Sequence, residues 1–272
     1  MRNRIDQAFS RARAEHRPAL LAYVMAGDPD LETSLAVAAA CAEAGADLIE
    51  LGMPFSDPIA DGPTIQAAAG RSLAAGTTLR KGLALGARLR ERISAPIVLM
   101  GYLNPVLALG EGVFAAGCVA AGVDGVILAD LPFDEPGALR DKLGAAGVRM
   151  IRMAAPSSPP ARLAELARGA EGFVYAVSVS GVTGARARLP AELGARLGAL
   201  RSMARVPVAV GFGVSTAAQV RELGALADGV VVGSALVARV AEGPRELAPA
   251  RARAFIASLL APESTLDYFH LS

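Results

Sequence analysis

Histidine and lysine, the side chains most often recruited for nucleophile activation and Schiff-base chemistry, are scarce here. The two histidines, His16 and His270, lie near the ends, and the two lysines, Lys81 and Lys142, fall in stretches of helical pattern. A histidine-centred triad, a multi-histidine metal site and a strand-borne Schiff-base lysine are therefore disfavoured. Acid–base work falls to carboxylates or tyrosine. The carboxylates that stand out lie in the stretch 49–64, IELGMPFSDPIADGPT. Glu50 ends an apolar run that reads as a strand. Alternation puts Leu48, Glu50 and Gly52 on one face. If that face is internal, Glu50 is partly desolvated and its pKa rises towards neutrality, where a carboxyl both gives and takes a proton. The other reading is a structural glutamate paired with an arginine. Asp61, before Gly62-Pro63-Thr64, is either a second acid of the site or the N-cap of the next helix. Asp57, before Pro58, reads as a turn former. Asp130, just past another strand end, ranks third. Tyr102 and Tyr175 sit where they could face the same mouth or simply pack.

Two glycine turns suggest an anion site. Val210-Gly211-Phe212-Gly213-Val214-Ser215 follows one strand run, and Val231-Val232-Gly233-Ser234-Ala235 follows the next and opens a helix. Glycine lets a ligand approach backbone N–H groups, and a helix N-terminus adds partial positive charge, so a phosphate needs no lysine or arginine there. Plain turns remain the other reading. A third glycine loop, Ser180-Gly181-Val182-Thr183-Gly184, is suited to a lid. Together these residues predict a small phosphorylated substrate handled by carboxylates, without metal or histidine.

The elements that must position these groups alternate. Short β-rich apolar runs at 19–25, 47–52, 97–100, 125–129, 149–153, 172–177, 208–210 and 229–232 are separated by Ala/Leu/Arg stretches of helical period. Helices are expected near 31–44, 65–75, 79–92, 112–121, 135–146, 160–168, 191–201, 216–226, 234–239 and 244–260. Asp30 and Thr216 mark helix starts, and Ala-Gly pairs at 44–45, 121–122 and 146–147 mark stops. The unit Ala-Gly-(Ala/Val)-Asp recurs at 44–47 and 121–124. Eight β/α units predict an α/β fold, a (β/α)₈ TIM barrel over residues 1–272 as one domain, with an extra N-terminal helix on which Ile5, Phe9 and Ala12 share a face. A doubly wound open sheet is the alternative, weakened because no GxGxxG follows the first strand. In a barrel the site lies at the C-terminal ends of the strands.

Composition sets outer bounds. The 272 residues are 53% hydrophobic with a formal net charge of +1, enough for a sizeable core and without the basic block of a nucleic-acid binder. No signal-peptide pattern, no apolar run of membrane-spanning length and only two cysteines, Cys41 and Cys118, lead us to expect a cytoplasmic protein without a disulfide framework.

Over nearly its whole length the sequence resembles the tryptophan synthase α-subunit family. The resemblance is carried by Glu50-Leu51-Gly52-Met53-Pro54-Phe55-Ser56-Asp57-Pro58 and Ala60-Asp61-Gly62-Pro63-Thr64-Ile65-Gln66. Tyr102-Leu103-Asn104-Pro105, Ser178-Val179-Ser180-Gly181-Val182-Thr183-Gly184 and Gly211-Phe212-Gly213-Val214-Ser215 support it. It implies retro-aldol cleavage of indole-3-glycerol phosphate to indole and glyceraldehyde 3-phosphate, with the indole ring as electron sink. It implies Glu50 as general acid at ring C3 and Asp61 as the group facing the indole N–H, oriented by Thr183. Gly184, Gly213, Gly233 and Ser234 would hold the phosphate. Tyr23, Ile65, Leu99, Tyr102, Ile127, Ala129, Tyr175 and Phe212 would line the indole pocket. No cofactor is implied in this chain; the family implies a pyridoxal-phosphate β subunit in an α₂β₂ complex, with Asp57 and Pro58 at the interface and indole passed through a tunnel. Tyr23 stands where the family often has phenylalanine, and Val179 where some members have arginine. A stand-alone indole-glycerol-phosphate lyase and another phosphate-binding barrel, such as a sugar-phosphate isomerase, are the alternatives.

Overall fold

The computed structural model describes residues 3–135, 137–177, 191–211 and 213–262. Its strands are β1 (Ala19–Met25), β2 (Leu48–Gly52), β3 (Ile97–Gly101), β4 (Gly125–Leu128), β5 (Arg149–Met150), β6 (Arg152–Ala154), β7 (Val174–Val177), β8 (Val208–Gly211) and β9 (Gly229–Val232). Its helices are α1 (Arg4–Ala14), α2 (Leu31–Glu43), α3 (Pro63–Ala74), α4 (Leu79–Arg90), α5 (Leu103–Leu109), α6 (Glu111–Ala120), α7 (Ala138–Ala145), α8 (Pro160–Arg168), α9 (Ala191–Met203), α10 (Ala217–Gly224), α11 (Ser234–Ala241) and α12 (Ala248–Leu260). All eight expected strand runs are present. The sheet order is β5-β4-β3-β2-β1-β9-β8-β7-β6, every pairing parallel. β5 and β6 are one run interrupted at Ile151, whose N–H still donates to Val126 O at 2.9 Å. The two ends of the sheet therefore meet, and the barrel is nearly closed.

Strand alternation divides the core in two. Outward residues such as Leu20, Ala22, Ile49, Leu51, Val126, Val210 and Val232 pack under the helices. Inward residues Leu21, Leu48, Val98, Ile127, Ile151, Phe173, Ala209 and Val231 fill the barrel together with Ile5, Phe9 and Ala12 of α1. α1 thus plugs one end. β4 and β9 begin with glycine because Ile5 and Phe9 reach in there: a Cβ on Gly125 would lie 3.0 Å from Ile5 Cδ1, and one on Gly229 2.8 Å from Phe9 Cε1.

The repeated Ala-Gly-x-Asp unit has a mechanical meaning. Ala44 and Ala121 cap their helices, and Gly45 and Gly122 turn the chain with φ of 107° and 63°. The aspartate then accepts the N–H at the start of a neighbouring strand: Leu20 N to Asp47 and Ile97 N to Asp124, each at 2.9 Å. Asp228 does the same for Val208 N at 2.9 Å. α1 lays Arg4, Arg11 and Arg13 on Asp124, Asp47 and Asp228. These arginines are half or more exposed, so the pairs orient α1 more than they stabilise it. With the floor closed, chemistry belongs at the opposite, C-terminal end of the strands.

One helix escapes the sequence reading. α5 occupies 103–109, where only the Tyr-Leu-Asn-Pro run stands out in the sequence. It is too short for a periodic signal, is held at its start by Asp130 accepting Leu103 N at 2.8 Å, and buries only Val106. That bond gives Asp130 a structural task. Among the described residues no single helix is long and apolar enough to cross a membrane.

Candidate active site

The register of β2 decides the role of Glu50. Tyr23 pairs with Glu50, and Glu50 with Val98. Leu48, two residues earlier, is in the barrel interior. Glu50 therefore points inward at the next level, fully buried, and neither carboxylate oxygen has a hydrogen-bond partner among the described residues. No arginine among the described residues pairs with it, which argues against the structural ion-pair reading. Burial, and secondarily the charge of Asp61, pushes its pKa up to about 8. At neutral pH it is a carboxylic acid with a proton to give.

Asp61 arrives from the loop after β2, and Tyr102 anchors that loop. Phe55 packs on the Tyr102 ring, centroids 5.1 Å apart. Ala60 N donates to the Tyr102 hydroxyl at 3.1 Å, and that hydroxyl donates to the Asp61 carboxylate. Asp61 is not a helix cap: Gly62 occupies the N-cap of α3 without a side-chain bond, and Asp61 only lends its carbonyl to Gln66 Nε2 at 2.8 Å. Burial raises the Asp61 pKa while the Tyr102 bond opposes the rise. Burial thus raises both carboxyls, and only Asp61 has a hydrogen bond that opposes the rise.

Three of the four tyrosines surround this pair. Tyr23 and Tyr175 use the same device. Each leans over a glycine two residues beyond its register partner on the neighbouring strand: a Cβ on Gly52 would lie 2.0 Å from the Tyr23 hydroxyl, and one on Gly211 2.9 Å from that of Tyr175. Burial, with the charges of Glu50 and Asp61, raises both phenol pKa values. Ile127 lies inward and buried, with Ala129 two residues on along the same face. Ile65 packs at the mouth with Tyr23, Met25, Ala68, Ala69 and Val237.

Leu99 is a correction. It belongs to the outward cluster beneath the helices, and Met100 is the inward residue, in contact with both the interior and the mouth. The alternation signal was present, since Tyr102, Met100 and Val98 share a face and Leu99 does not.

On the far side of β1, Gly213 and Gly233 each follow by two residues the last registered pair of β8 and β9, Gly211 and Val231. Gly213 has φ 60° and is exposed; Gly233 is the N-cap of α11, with Ser234 as its first residue. Two glycine turns and a helix start thus lie together on neighbouring strand ends, a geometry that suits a phosphate. Asp57 is exposed and bonded to Ser56 Oγ, Pro58 is partly buried, and Ile59 beside them is 84% exposed. Thr183, Gly184, Phe212 and Val179 lie outside the described residues. Among those described, no cluster of side chains suited to a metal ion occurs.

The buried acid has a measurable cost. Its pKa is about 4.5 when exposed and about 8 in the fold, so the folded state binds more protons between those values. The contribution to stability is complete below pH 4.5 and is lost as pH rises through 8. The melting temperature of Glu50→Gln relative to the parent should therefore climb across this window and level off above it. A difference independent of pH in thermal melts would contradict the shift.

Residues 9–261 match the family model described as the tryptophan synthase alpha chain. The chain is 51% identical over 237 residues to the tryptophan synthase alpha chain of Caulobacter sp. (strain K31), covering 87% of this chain and 86% of that one. It is 50% identical over 235 residues to that of Geobacter sulfurreducens, covering 86% and 89%. Among solved structures, tryptophan synthase subunit alpha from Legionella pneumophila superposes with a TM-score of 0.86 at 33% identity, covering 95% of this chain and 97% of that one. Tryptophan synthase from M. tuberculosis in its aminoacrylate-bound form gives 0.85 at 36%, covering 95% and 98%.

Proposed function

This chain belongs to the tryptophan synthase alpha chain family, and from that premise we propose that it is a lyase cleaving indole-3-glycerol phosphate to indole and glyceraldehyde 3-phosphate, with Glu50 and Asp61 as its working acids. The observation that carries the assignment of roles is the unpartnered, fully buried Glu50 beside an Asp61 held by Tyr102.

Glu50 gives its proton to C3 of the indole, and the ring becomes an indolenine with positive charge at nitrogen. Asp61, ionised, faces that N–H and stabilises the charge. The bond between C3 and the glycerol carbon then breaks. Its electron pair moves into the ring, restoring indole, while the hydroxyl on the departing carbon loses its proton to the Glu50 carboxylate and becomes the aldehyde. Glu50 ends as it began, protonated. Gly213, Gly233 and Ser234, with Gly184, hold the phosphate. Tyr23, Ile65, Met100, Tyr102, Ile127, Ala129, Tyr175 and Phe212 enclose the ring, and Thr183 orients Asp61.

A beta subunit is the partner. We assign it the pyridoxal phosphate, an α₂β₂ assembly and a contact at Asp57 and Pro58; the exposed Ile59 beside them supports an apolar contact there. A cytoplasmic location accords with this role. The test is indole formation from indole-glycerol phosphate by the purified chain, alone and with a beta subunit. Slow release alone, accelerated on the order of tenfold or more by the partner, is the expected result. Equal rates would point to the stand-alone lyase, and turnover of an aldose phosphate instead would point to an isomerase.

A further inference from the structure

Tyr102 has both ends of its hydroxyl engaged, accepting from Ala60 and donating to Asp61. The Tyr23 hydroxyl is different: it makes no hydrogen bond to any described residue, although the side chain is only 7% exposed. Buried phenol groups normally find a partner. Its place in the barrel says which. β1 lies between β2, which carries Glu50, and β9 with β8, which lead to Gly233 and Gly213. Tyr23 is the inward residue of β1 level with Glu50. Its Cβ lies 3.7 Å from where a Cβ on Gly233 would be, and its hydroxyl reaches over Gly52. A chain joining a ring at Glu50 to a phosphate at the glycine turns must cross this strand, over this side chain.

Building on the function proposed above, we propose that Tyr23 is a specificity-determining residue whose hydroxyl hydrogen-bonds the bystander hydroxyl of the glycerol chain, on the carbon next to the phosphate-bearing one. That hydroxyl takes no part in bond breaking. Tyr23 therefore selects a hydroxylated phosphate ester over its deoxy counterpart without touching the chemistry.

The experiment compares cleavage of indole-glycerol phosphate with that of the analogue lacking only this hydroxyl, by the parent and by Tyr23→Phe, in the presence of the beta subunit. The parent should favour the hydroxylated substrate in kcat/KM, and Tyr23→Phe should lose roughly tenfold of that preference, the worth of one neutral hydrogen bond. Intrinsic reactivity differences between the two compounds cancel in the ratio. Binding of the two compounds to Glu50→Gln, with and without Tyr23→Phe, gives the same ratio without turnover. An unchanged ratio overturns the inference, as does an equal loss on both compounds, which would place the hydroxyl's effect on the carboxylates. A parent that cleaves neither compound overturns the lyase reading and this inference with it.

Discussion

Glu50→Gln is expected to leave a folded barrel that releases indole roughly 10²- to 10⁴-fold more slowly. Glutamine has the size of glutamic acid and no proton to give, and Glu50 bonds no described residue that the amide would disturb. The proposed reaction uses this carboxyl twice, first as acid and then as base, so its loss removes both proton transfers. Activity of the parent should fall as pH rises through about 8, where Glu50 loses its proton, and fall again towards low pH as Asp61 becomes protonated. The two limbs belong to the pair, since each acid feels the other. Steady-state indole release across pH checks both statements. Near-parental turnover by Glu50→Gln would remove Glu50 from the mechanism.

Asp61→Asn should lose roughly 10²- to 10³-fold in kcat, the scale of deleting one preorganised electrostatic partner of a developing charge. Its melting temperature should barely move, because the α3 N-cap is Gly62 and the Asp61 carboxylate serves no helix terminus. A second consequence separates this role from a general disturbance of the loop. The Asp61 charge is one of the two causes raising the Glu50 pKa. Removing it should shift the alkaline limb of the residual activity to lower pH. A variant with full activity and a lowered melting temperature would return Asp61 to a structural task.

Both expectations depend on features of unequal visibility. The β/α rhythm, the strand runs and the helix stops were readable in the chain because they follow from local rules: apolar period, capping oxygens, and glycine where φ must be positive. Leu48, Glu50 and Gly52 sharing a face is likewise local, as is the pairing of two glycine turns with the last two strands. The family resemblance of the 50–66 stretch is also a property of the sequence alone.

What the sequence left open was who meets whom across strands. Alternation says that Leu99 and Met100 point opposite ways, but which one faces the interior depends on the register against β2, and that register is set by closure of the whole barrel. The same holds for Glu50: whether an arginine neutralises it depends on residues far away in sequence, and none of those described does. Asp61 read equally as a cap until Tyr102, 41 positions away, was seen to hold it. The seating of Tyr23 over Gly52 and Tyr175 over Gly211 is invisible locally, because each needs a glycine on another strand two residues past the register partner. Local periodicity fixes directions along one element; the environment that turns a buried carboxyl into an acid at neutral pH comes from neighbours that only the closed sheet assembles.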